Sequence, residues 1–157
     1  MNNNKNNILI LGFTTLLIGC SQSATSVFNV DPVYGQNIQY SKVIKSVKEN
    51  NVNGIFNITY LNSVNSSKWN NGKQNFLIGT YVFDNNASSF KISMNENEQI
   101  ASQAVTKDDP LYKNIAFRND WAKYNIVTFD NVDDNKTLTI KYTHPKFDNI
   151  STTFTKE

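Results

Sequence analysis

The sequence has little of what most chemistry needs: one cysteine, one histidine, three prolines and six glycines in 157 residues. A lone cysteine excludes an internal disulfide framework, and a lone histidine excludes a metal site built from several imidazoles. A Ser-His-Asp triad would have to use His144, and no Gly-x-Ser-x-Gly accompanies it. His144 stands before Pro145 at a strand end, where an exposed turn residue is expected. There is no Gly-rich phosphate loop, Cys-x-x-Cys pair or His-Glu-x-x-His. These absences weigh against an enzyme, and no cofactor or metal is expected. Charge of one sign is also lacking. The 15 basic and 13 acidic residues nearly cancel, and without a run of Lys or Arg the chain has no footprint for nucleic acid.

Long apolar runs are missing with one exception. After Lys5 the chain turns apolar from Ile8 to Ile18. That is well short of the ~20 residues a spanning helix needs, and the Ser/Thr-rich stretch after Cys20 could not continue it. A positive charge, a short apolar stretch and a small residue at its end have the order of an export signal.

The stretch ends Leu17-Ile18-Gly19-Cys20, which resembles the lipobox of bacterial lipoproteins. The resemblance covers residues 1–20. It implies that 1–19 is a signal peptide, that the Cys20 thiol receives a diacylglyceryl group, and that a peptidase cuts just before Cys20. Each buried methylene contributes about 0.8 kcal/mol, and two acyl chains hold stably where one holds marginally. The implied product is anchored to a membrane through lipid on Cys20. In Gram-negative bacteria an Asp after the cysteine marks inner-membrane retention. Ser21 stands here, so the resemblance favours the outer membrane if the host is Gram-negative.

Loss of Lys5 with the signal lowers the 15 basic residues to 14, against 13 acidic ones, a net charge of +1. Residues 20–33 read as the lipidated N-terminus and tether, with Phe28 and Val30 as a possible strand start, and residues 34–157 as one domain. Ten Phe and seven Tyr supply a core for it. The many asparagines read as codon drift rather than as a binding surface.

The apolar pattern has period two. Phe56, Ile58 and Tyr60 share a face. Phe76, Ile78 and Val82 oppose Leu77, Tyr81 and Phe83, as in a central strand buried on both sides. Phe90, Ile92 and Met94 alternate, as do Leu138, Ile140 and Tyr142, and Ile150, Thr152 and Phe154. Ile126, Val127 and Phe129 mark a further strand over Tyr124–Asp130. Asn53-Gly54 and Asn71-Gly72 read as turns, the first as a tight hairpin. Asp133-Asp134-Asn135 and Pro145–Asn149 read as turns as well. Asn37–Glu49 is open between helix and strand, and Pro110–Lys113 reads as a short helical turn. About seven strands in one domain predict an all-β, antiparallel, immunoglobulin-like β-sandwich, without the Cys…Trp…Cys spacing of antibody domains.

Two acidic stretches, Asp130–Asn135 and Asp108-Asp109, read as solvated turn and helix start rather than as calcium loop or acid–base pair. Trp121, just before a strand, is expected in the core. Trp69 lies in polar Ser66-Ser67-Lys68-Trp69-Asn70-Asn71-Gly72 and leaves two readings, an exposed recognition contact or a plug over the sandwich end. The favoured function is a non-enzymatic interaction or scaffolding module that contacts another envelope protein. The alternative is a small-ligand or glycan-binding lipoprotein that uses Trp69.

Overall fold

The computed structural model describes residues 31–83, 90–132, 136–145 and 147–156. The lipobox, Cys20, Phe28, Val30 and Asp133-Asp134-Asn135 lie outside them. A helix α1 (Pro32–Gln39) leads into strands β1 (Ser41–Lys48) and β2 (Asn51–Tyr60). Asp31 caps α1 by accepting from the Val33 amide, and Pro32 fills the first turn, where its missing N–H costs nothing. Two single-turn helices follow, α2 (Leu61–Val64) and α3 (Ser66–Trp69), and then β3 (Lys73–Val82). The chain continues through β4 (Lys91–Met94), β5 (Asn97–Glu98), β6 (Ala101–Val105), the helical turn α4 (Pro110–Lys113), β7 (Lys123–Asp130), β8 (Thr137–His144) and β9 (Phe147–Thr155).

The strands form two antiparallel sheets, in the orders β1-β2-β3-β7-β6 and β5-β4-β8-β9. Strands β2-β3-β7-β6 and β4-β8-β9 reproduce the two-sheet pairing order of the immunoglobulin sandwich; β1 and β5 extend one edge of each sheet. The expected all-β sandwich is therefore the fold, with nine strands among the described residues in place of about seven.

Period-two alternation explains where the core sits. Phe56, Ile58, Tyr60, Phe76, Ile78, Val127 and Phe129 point from the five-stranded sheet onto Met94, Leu138, Ile140, Tyr142 and Phe154 of the other. The opposite face of the five-stranded sheet carries a second cluster of Leu61, Leu77, Val105, Tyr112, Ile115 and Tyr124. The segment from Thr106 to Ala122 contributes Tyr112 and Ile115 to that cover, and α2 contributes Leu61. β3 is thus central and buried on both sides over Phe76–Ile78, as its pattern predicts.

Several local expectations are corrected. The first hairpin turns at Glu49-Asn50, both left-handed at φ 52° and 65°, not at Asn53-Gly54. Such a two-residue turn matches the twist of the flanking strands. Gly54 lies within β2 instead, beside a register shift at Ser46/Val47, where an added Cβ would meet Phe56 at 3.2 Å and the Tyr81 carbonyl at 3.3 Å. Most of Asn37–Glu49 is strand, with only its first residues in α1. β9 begins already at Phe147, so the turn before it is shorter than Pro145–Asn149. His144 is buried, its ring 4.5 Å from that of Phe90, rather than exposed at a turn.

Candidate functional site

Buried asparagines set the position of Trp69. Asn62 accepts from the Asn75 amide at 2.8 Å and donates to the carbonyls of Lys73 (2.8 Å) and Trp69 (3.2 Å). The Asn75 side chain donates to the same Trp69 carbonyl at 2.9 Å and accepts from Thr128 Oγ1 at 3.0 Å. At the start of α3 the Asn65 side chain accepts from the Lys68 amide. This network turns the half-buried indole of Trp69 onto the second cluster, and the Lys68 ammonium lies 4.9 Å from its ring centre. Buried amides are retained where they are hydrogen-bonded, so these asparagines have a structural role that composition alone does not show.

The other tryptophan has the opposite environment. Trp121, expected in the core, is 80% exposed. It belongs to the loop before β7, where its amide donates to Asn119 Oδ1 at 3.0 Å. The loop is fastened from below. The Asn119 amide donates to the Tyr124 hydroxyl at 2.8 Å, and Asn57 Nδ2 donates to the carbonyls of Ala116 and Phe117. Phe117 is held left-handed at φ 53°, an uncommon conformation for a bulky residue, and its side chain is half exposed.

Strand register assembles the surface around Trp121. Lys45, Ile55 and Tyr81 are direct cross-strand partners on the outer face of β1, β2 and β3. The Tyr81 ring lies 6.4 Å from Trp121 and 4.9 Å from Phe83, which is 58% exposed. Val43, Val47 and Val52 are also exposed, on the same side by alternation and register. Arg118, bridged to Asp120 at 3.2 Å, adds a cation beside the loop. Aromatic and Arg side chains gathered on an exposed apolar face are the composition of protein-contact hot spots.

The remaining candidates offer less. Asp109 caps α4 by accepting from the Leu111 amide at 2.8 Å, as a helix-start residue does. Asp130 pairs with Lys73 across β3 and β7. Among the described residues no group of three or more His, Cys, Asp or Glu side chains is placed to hold a metal ion. The phenols of Tyr124 and Tyr142 are pushed up from the usual tyrosine range, both chiefly by burial, Tyr142 strongly so. Tyr142 is enclosed in the core, whereas Tyr124 lines a cleft with Tyr112, Asp120, Lys107 and Lys123, where its hydroxyl accepts from the Asn119 amide. A groove of about 620 Å³ runs along β4, lined by Phe90, Ile92, Lys91, Glu98 and Lys141 among others; Trp69 is not part of it.

Sequence reasoning named Trp69 from its polar neighbours and missed the Trp121 face. The readable signal was the outward parity of Tyr81 and Phe83 on a strand already recognised as central. Compared with protein-family models, curated proteins and solved structures, the chain matches none.

Proposed function

We propose that this protein is a lipid-anchored envelope lipoprotein whose sandwich domain binds another envelope protein through the Tyr81–Phe83–Trp121 face. The observation that carries this reading is the 80% exposure of Trp121 next to Tyr81 and an exposed Phe83. A large exposed apolar patch on a folded domain marks an interaction surface, and aromatic residues are enriched where proteins bind one another. The lipobox-like Leu17-Ile18-Gly19-Cys20 supports the anchor, and Ser21 supports an outer-membrane position in a Gram-negative host. The absence of recognisable enzyme motifs from the sequence supports a non-enzymatic role.

The polar loop around Trp69 supports the glycan-binding alternative less well. The Trp69 ring is engaged by the second cluster and by Lys68, which leaves little of it for a sugar to stack on.

Two experiments test the two halves of the proposal. Cys20→Ser should leave unprocessed, unlipidated precursor; normal processing and membrane recovery of that variant would refute the anchor. A photo-crosslinking amino acid at position 83 in the membrane-bound protein should give one discrete protein adduct, and the same group at exposed Thr153 should give none. Equal labelling at both positions would refute the assigned face.

A further inference from the structure

A sheet edge exposes unpaired N–H and C=O groups, and natural proteins blunt such edges with charge, proline, bulges or brevity. Of the four edge strands described, three are protected. β1 carries Lys42, Lys45 and Lys48 and a register shift, and Lys42 reaches across to the Thr153 carbonyl of β9. β9 carries Asp148 and a register shift of its own, and it packs beside β1. β5 is two residues long and includes Glu98.

β6 has none of these devices. Ile100-Ala101-Ser102-Gln103-Ala104-Val105-Thr106 contains no charge and no proline, and its ladder to β7 runs from Ala101 to Val105 without a shift. Ala101 to Ala104 are exposed in succession, although they belong to a sandwich strand.

The space beside this edge is equally unusual. Ser102 and Ala104 oppose Val127 and Asn125, so they face the interior side of the sheet. Next to Ser102 the sandwich opens into a gap of about 220 Å³, lined by apolar Ile78, Phe90, Ile92 and Val127 and by polar residues that include Lys123 and Asn125. Phe90, Ile92 and Gln99 are shared with the groove along β4, so the two spaces adjoin.

We propose that β6 is a strand-acceptor edge, which takes an extended segment of a partner protein carrying apolar side chains at alternate positions. A strand added there lies about 4.8 Å beyond β6. Its side chains opposite Ser102 and Ala104 project on the same face, roughly 5 Å from them, toward the gap and its apolar wall of Ile78, Phe90, Ile92 and Val127. Small side chains at 102 and 104 leave that room open. Main-chain hydrogen bonds supply affinity and the gap selects apolar residues at every second position, the division of labour in β-strand addition. This edge is separate from the Trp121 face and does not depend on it.

The test is hydrogen–deuterium exchange on the full chain in detergent, with the synthetic peptide acetyl-Lys-Thr-Val-Thr-Phe-Thr-Val-Thr-Lys-amide as the probe. The peptide should slow exchange over Ala101–Val105 by about tenfold or more, and the same peptide with proline at its centre should not. Ala104→Lys, which puts a charge over the gap, should abolish the protection, and Lys45→Ala should leave it. Ser102→Pro, which removes an N–H that β6 presents to its open edge and leaves the ladder to β7 intact, is the second blocking variant if Ala104→Lys unfolds. No protection of β6 at about 1 mM peptide, protection of β1 instead, or protection that survives both blocking variants would each overturn the proposal. So would a concentration-dependent dimer with β6 already protected without peptide, which would assign the edge to a second copy.

Discussion

Tyr124 lies over Gly79, its direct partner between β3 and β7: a Cβ added at Gly79 would come 2.8 Å from Tyr124 Cδ1 and closer still to Cε1. The absent side chain lets the phenol cross the strand, join the second cluster and reach Asn119, which holds the Trp121 loop. Gly79→Ala should therefore destabilise the domain by about 1–3 kcal/mol, the usual cost of overpacking. It should also loosen the loop, seen as a change in Trp121 fluorescence. An unchanged denaturation midpoint would mean that the ring can move aside freely.

Tyr142 makes the opposite prediction. Its ring packs 4.5 Å from Phe56, and its buried hydroxyl has no hydrogen-bond partner among the described residues. An unsatisfied buried hydroxyl costs about 1–3 kcal/mol, so Tyr142→Phe should be neutral or more stable in urea denaturation. Tyr142→Asp should unfold the domain, because an unpaired buried charge costs several kcal/mol against a total of about 5–15. A clear loss of stability in Tyr142→Phe would show that the hydroxyl has a partner after all.

The same burial sets an alkaline limit. Unfolded tyrosines ionise near the ordinary value of 10.0, and Tyr142 and Tyr124 hold their protons to higher pH in the native domain. Above 10 the unfolded state thus binds fewer protons than the native state, and stability falls as pH rises. Urea midpoints between pH 9 and 11 should show that fall, and it should be shallower in Tyr142→Phe.

Six of the nine strands among the described residues were legible, most from one apolar face in alternation, as in Phe56-Ile58-Tyr60 of β2 and Leu138-Ile140-Tyr142 of β8, and β3 from apolar residues on both faces. β1 was ambiguous because Val43, Ile44 and Val47 fit a helical spacing as well as a strand, and its exposed face removes the contrast that alternation needs. β6 gave no signal, since Ala-Ser-Gln-Ala is nearly uniform in polarity and exposed on both faces. The environments of the two tryptophans, Trp69 open between contact and plug and Trp121 expected in the core, were not legible for a related reason. Polar neighbours describe sequence distance, whereas the single turn of α3 rotates Trp69 onto the second cluster, and the loop fastened by Asn119 presents Trp121 outward. Long-range register and side-chain amide networks decided both, and neither can be read from one segment.

Trp69 should accordingly behave as a structural residue. Trp69→Ala removes an aromatic packed on the second cluster and should lower stability by about 3 kcal/mol or more. Differential scanning calorimetry of that variant beside wild type would decide it; a melting temperature equal to wild type would return Trp69 to the list of exposed contacts.

The most direct test of the interaction face is Trp121→Ala in the lipidated, membrane-bound protein, read by crosslinking yield to the partner at an unchanged melting temperature. Truncating an exposed side chain should alter stability by no more than about 0.5 kcal/mol, and loss of a central aromatic contact should weaken capture by about 2 kcal/mol, some 30-fold. Undiminished capture by a fully folded Trp121→Ala protein would contradict the account and show that this aromatic face is not where the protein binds.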